Sequence, residues 1–110
     1  MIRFRKYIDR ELKPENVKDA KKLDAYGVTC TYLPDPIEDF DELEFRTEYD
    51  GKNNIVITVT LELGKIKRAM FSVADEVNPD IVRALTESQL EGFLSNKGEK
   101  LLGFFDYITQ

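Results

Sequence analysis

Between residues 43 and 63 apolar and polar side chains alternate with few interruptions. Leu43, Phe45, Thr47 and Tyr49 alternate with Glu44, Arg46, Glu48 and Asp50. After the turn-forming stretch DGKNN, the set Ile55, Ile57, Val59, Leu61 and Leu63 alternates with Val56, Thr58, Thr60 and Glu62. A period of two is the signature of a strand with one buried face. Gly64-Lys65 suits a two-residue type II′ turn, and IKRAMFSV returns as a third strand. This register sets Leu63 opposite Ile66, Leu61 opposite Arg68 and Val59 opposite Met70. Across DGKNN it sets Tyr49 opposite Ile55, Thr47 opposite Ile57 and Phe45 opposite Val59. Both hairpins then share one apolar face, while Val56, Phe71 and Val73 form a smaller apolar strip on the face that carries the acids.

Helical spacing governs the two ends of the chain. Phe4, Tyr7, Ile8 and Leu12 fit one helix face, although MIRFRKYI also fits an alternating strand. Pro14 suits a first helical turn, and Gly27 suits the residue just past a helix end; between them Val17, Ala20 and Leu23 make a thin apolar stripe. VTCTYL reads as a short strand, broken by PDP. Asn78 before Pro79 predicts a helix start. TESQ at 86–89 fits a capping box for a helix carrying Leu90, Phe93 and Leu94. A last helix holds Leu101, Leu102, Phe104, Phe105 and Ile108. The predicted fold is α+β: an antiparallel meander of three to four strands packed with an amino-terminal helical segment and two to three carboxy-terminal helices, in one domain over residues 1–110. Gly92 and Gly103 weaken the helices that contain them and make room for close packing.

Composition narrows the function more than the fold. The chain has 42% apolar and 34% charged residues, which is a globular balance. It carries no apolar run near the roughly 20 residues that span a bilayer and no signal-peptide core. Cys30 is the single cysteine. An intramolecular disulfide is therefore ruled out, and a cytoplasmic location is expected. There is no histidine. Histidine-based triads and dyads are absent, and zinc or iron sites lack their usual ligands. GFLSNKGEK misses the phosphate-loop spacing by one residue and has Glu99 where lysine is required. No enzyme activity, metal or cofactor is expected.

Charge is unevenly distributed. Residues 1–22 carry eight cations and four acids, while residues 23–50 carry nine acids and one cation, Arg46. DPIEDFDELEFRTEYD, residues 35–50, alone holds eight carboxylates. A calcium loop needs a glycine at its sharp turn, and this stretch has phenylalanine there. Charges on a strand at a sheet edge prevent association between molecules. A row of carboxylates beside an apolar strip also suits a basic protein surface. A net charge of −5 disfavours nucleic acid.

The expected function is thus a small acidic, non-catalytic protein-binding domain of adaptor or inhibitor type, the kind that phages and mobile elements carry. Its expected contact residues are Glu42, Glu44, Arg46, Glu48, Asp50 and Phe71 on the acidic face, with Phe104, Phe105 and Tyr107 on an apolar terminal helix. The alternatives are a self-assembling subunit, a homodimer in its simplest form, and a small-ligand binder with a pocket between helices and sheet.

Overall fold

The computed structural model describes residues 2–34, 40–75, 77, 78, 82–96 and 98–110. It is an α+β domain with a five-stranded antiparallel meander: β1 (Thr29–Pro34), β2 (Phe40–Asp50), β3 (Asn53–Glu62), β4 (Lys65–Asp75) and β5 (Val82–Ala84), hydrogen-bonded in chain order. Three short helical segments precede the sheet, α1 (Ile2–Arg5), α2 (Pro14–Val17) and α3 (Ala20–Tyr26). Two longer ones follow it, α4 (Glu87–Asn96) and α5 (Glu99–Ile108).

The helix ends follow their local chemistry. Asp19 interrupts the amino-terminal helical stretch and caps α3, its side chain accepting from the Lys22 amide. Gly27 closes α3 at φ 69°, the left-handed conformation that glycine adopts without penalty. Thr86 and Gln89 form the reciprocal capping box: the Gln89 amide donates to Thr86 Oγ1 at 3.2 Å and the Thr86 amide donates to Gln89 Oε1 at 3.1 Å. The predicted start at Asn78-Pro79 runs into residues 79–81, outside the described ones, and Val82–Ala84 is strand rather than helix.

Strand register departs from the expectation in two ways. β2 and β3 pair with Phe45 opposite Ile57 and Thr47 opposite Ile55, two residues from the predicted alignment. The turn is Gly51-Lys52 alone, because Asp50 pairs with Asn53 and accepts amides from Lys52 and Asn53 at 2.8 Å each. Between β3 and β4 the turn is Leu63-Gly64, with φ values of 52° and 79° as a type I′ turn requires, rather than Gly64-Lys65. A register shift follows: Leu61 faces Ile66, yet Thr60 faces Arg68. The extra residue, Lys67, makes this a bulge and exchanges the faces of everything after it. Ala69, Phe71 and Val73 therefore join the core, and Met70 faces outward at 58% exposure.

One face of the sheet carries the core. Phe45 meets Phe104 and Phe105 of α5 with ring centroids 5.2 and 5.6 Å apart; Phe4 meets Phe105 at 4.7 Å and Phe71 at 5.1 Å, edge to face. α5 is held at both ends of its exposed side. The Tyr7 hydroxyl reaches the Leu102 carbonyl and Asp106, and the Lys13 amide and Asn16 side chain donate to the Ile108 and Tyr107 carbonyls, satisfying acceptors the helix end leaves open. The Asp9 amide bonds the Ile66 carbonyl, the Ile66 amide the Arg10 carbonyl and the Leu12 amide the Gly64 carbonyl, so the amino-terminal segment covers the start of β4 as β5 covers its end.

Candidate functional site

β2 is an interior strand over most of its length. Residues 41–46 pair with β1 on one side and β3 on the other; from Thr47 to Asp50 only the β3 side is paired. This corrects the expected edge position of the acidic row, and with it edge protection as the reason for Glu42 and Glu44. The true edges are blunted otherwise. β1 ends in proline, β5 is three residues long, and the bulge at Lys67 follows directly on Ile66, where the amino-terminal segment covers β4.

The acids themselves project from the sheet face opposite the core. Pairing places Glu42 beside Thr60, Glu44 beside Thr58, Arg46 beside Val56 and Glu48 beside Asn54. Arg46 donates to Glu44 Oε1 at 3.1 Å, so the centre of the row is an ion pair on the sheet surface. Glu42 and Glu48 flank it, both exposed. Asp50 is turned back into its own turn, where it accepts from Lys52 and Asn53, and so is not part of the row. Asp35, Glu38 and Asp39 lie outside the described residues.

Further across the same face stand Met70 and Ser72 of β4, then Val82 and Ala84 of β5. Met70 and Val82 are 58% and 50% exposed, and Ala84 is exposed as well. Val56 and Ala74 are buried on this face. Of the apolar strip expected beside the acids, Val56 lies on this face but is buried and the bulge turned Phe71 and Val73 inward, so the exposed apolar side chains here are Met70, Val82 and Ala84 instead.

Three aromatic candidates are core residues and offer no contact surface. Phe71 is 8% exposed, and Phe104 and Phe105 are fully buried. Phe104 and Phe105 fill the space between α5 and the sheet, which is why a helix apolar around so much of its circumference is tolerated. Tyr107 is half-buried against the amino-terminal helices: its hydroxyl lies 3.3 Å from Asp19 Oδ2 and Lys22 Nζ stands 5.7 Å from its ring centre.

A second feature lies on the core side. A cavity of about 670 Å³ opens between α2, α3 and the β1–β3 part of the sheet. Its wall is built from Leu12, Val17, Leu23, Val28, Leu43 and Leu61, with Cys30 beside them. Burial pushes the Cys30 thiol up to about 11, so at neutral pH it is almost wholly protonated and reacts slowly. The signal in the sequence was the thin stripe of Val17, Ala20 and Leu23, whose side chains are too few and too short to fill the space above a sheet. Among the described residues no group of three or more acids and cysteines is placed to hold a metal, and no helix is long and apolar enough to cross a membrane.

No family model, curated protein or solved structure matches the chain.

Proposed function

We propose that the protein is a non-catalytic binding domain that docks a basic protein surface on the outer face of its sheet. The observation that supports this reading is the presence, on the one face the aromatic core leaves free, of Glu42, Glu44 and Glu48 on β2 and, across β3, of the exposed side chain of Met70, with Val82 at the far side of the sheet and Arg68 level with Glu42. Large apolar side chains on an exposed sheet face mark contacts more often than isolated ones do. Carboxylates alongside them select a cationic partner and speed its encounter. Arg46, already paired with Glu44, fixes the position of that carboxylate rather than repelling the partner. The Phe104 and Phe105 side of α5 takes no part.

The test uses two variants: Glu42→Gln, Glu44→Gln and Glu48→Gln combined, and Met70→Lys alone. Asp50 is left intact so that the turn survives. Each is shown folded by circular dichroism and used beside wild type to capture proteins from lysate of the source organism. A stoichiometric partner with a basic surface, held by wild type and lost from both variants, supports the reading. Retention of the same partner by both variants refutes it.

A further inference from the structure

Protein interiors are packed to the density of organic crystals, and voids larger than a water molecule are few. The space of about 670 Å³ is instead a cleft open to solvent at its mouth, a surface concavity and not a fault of core packing. It falls within the range of about 300–1,000 Å³ that small-molecule sites occupy. Local sequence accounts for its shape. Asp19 ends one short helix and caps the next, so two helical pieces of four and seven residues roof the sheet where one long helix was expected. Val17 and Leu23 close the roof only partly, and Ala20, exposed at the first turn of α3, leaves the mouth open.

The wall decides the ligand. Its six aliphatic side chains are each less than a tenth exposed, and no polar or charged residue among the described ones is fully buried there or elsewhere. A charged group taken inside would find no partner among the described residues of the wall, and an unpaired buried charge is prohibitively costly. At the mouth Lys18 and Asp24, both exposed, supply one charge of each sign. This described part of the rim favours neither an anion nor a cation. Apolar surface, in contrast, gains roughly 25 cal/mol for each Å² removed from water.

We infer that the cavity between α2, α3 and strands β1–β3 is a binding site for a neutral, predominantly apolar small molecule. The site faces the core side of the sheet and is independent of the proposed contact on the outer face.

Nile red, a neutral dye that brightens in apolar surroundings, is the probe. Its fluorescence is expected to saturate at one dye per chain and to be displaced by dodecanol more effectively than by dodecanoate or dodecylammonium. Ala20→Trp introduces bulk at the mouth from an exposed position, and weakens dye binding by about tenfold or more. Cys30 reports occupancy in the wild-type protein: dodecanol at ten times its dissociation constant slows alkylation of the thiol by about tenfold. Dye binding without saturation, equal or better displacement by the charged chains, or alkylation of Cys30 at an unchanged rate would each overturn the inference. If Ala20→Trp does not fold, protection of Cys30 in the wild type decides alone.

Discussion

Replacing Tyr7 by phenylalanine tests a single oxygen atom. The ring is fully buried, 5.1 Å from Phe4 and 5.6 Å from Phe105 between centroids, and phenylalanine keeps all of that packing. The hydroxyl it removes lies 2.9 Å from the Leu102 carbonyl and 2.8 Å from Asp106 Oδ1. One proton serves one acceptor at a time, and the carboxylate is the stronger. A hydrogen bond to a charged group contributes about 1.5–3 kcal/mol. Asp106 is 55% exposed and regains water when the hydroxyl is lost, so the expected cost lies at or below the lower end, about 1–1.5 kcal/mol at neutral pH.

The same substitution has a pH signature that mere loss of packing would not. Burial of the ring, then the Asp106 hydrogen bond and charge, hold the Tyr7 phenol well above the ordinary tyrosine range. The fold thus favours the protonated form, while the unfolded chain releases the proton near pH 10. Below that pH the contribution is fully present. Above it, unfolding releases a proton and stability falls by about 1.4 kcal/mol per pH unit. Wild type carries this slope and Tyr7→Phe does not, whereas the slope from Cys30, whose thiol is also raised, is common to both and cancels. Urea unfolding followed by circular dichroism should show the variant weaker at neutral pH and the gap closing near about pH 11. Equal stability at neutral pH, or parallel alkaline slopes, would refute the role given to this hydroxyl.

Two further outcomes test the turns and corners. Leu63 sits at φ 52° with its side chain 86% exposed, a conformation that costs a non-glycine residue about 1–2 kcal/mol; Leu63→Asn creates the Asn-Gly pair that type I′ turns prefer and should stabilise by about 0.5–1 kcal/mol in urea unfolding, a gain that a II′ turn at Gly64-Lys65 would not give. Gly98→Ala places a methyl group 2.5 Å from Leu94 Cα and 2.8 Å from its carbonyl oxygen, and should cost about 2 kcal/mol or more, whereas a methyl on Gly92 meets nothing within 4 Å and should gain about 0.5–1 kcal/mol of helix propensity. Thermal melts of opposite sign are expected, and shifts of the same sign would contradict the α4–α5 corner.

Signals that act within a few residues were legible before the structure. Gly27, the Thr86–Gln89 box and the alternation of Leu43 to Leu61 each stated their element correctly, because capping and pleat are local chemistry. Register was not. A slip of two residues between β2 and β3 keeps every side chain on its face, so the hydrophobic pattern cannot detect it; the tight Gly51-Lys52 turn, held by Asp50, together with Tyr49 as an extra, unpaired residue just before it, sets the alignment. The bulge did leave a trace. Two consecutive cations, Lys67 and Arg68, interrupt the period between Ile66 and Ala69, and a strand with no bulge would have turned Arg68 into the core. Lys67 instead reaches Asp9 at 2.9 Å, which joins the amino-terminal segment to the sheet. β5 was misread since three residues carry too little periodicity to outweigh an Asn-Pro helix signal.

The fate of the acidic row shows how topology changes the meaning of a charge. At an edge, Glu44 and Glu48 would have needed no explanation beyond keeping molecules apart. Paired with β1 on one side and β3 on the other, the strand around Glu42 and Glu44 has no free hydrogen-bonding edge to protect. The charges act instead through the sheet face they project from. There Arg46 neutralises the middle of the row, so Glu42 and Glu48 supply most of its field, and exposed charges of this kind contribute little energy on their own. A partner that used only these carboxylates would be held weakly and released by salt. On the proposed reading, affinity on this face comes from the apolar side chains left outside, Met70 above all, while the acids bias which partner approaches. The bulge at Lys67 therefore does two things at once: it sends Phe71 into the core and leaves Met70 outside.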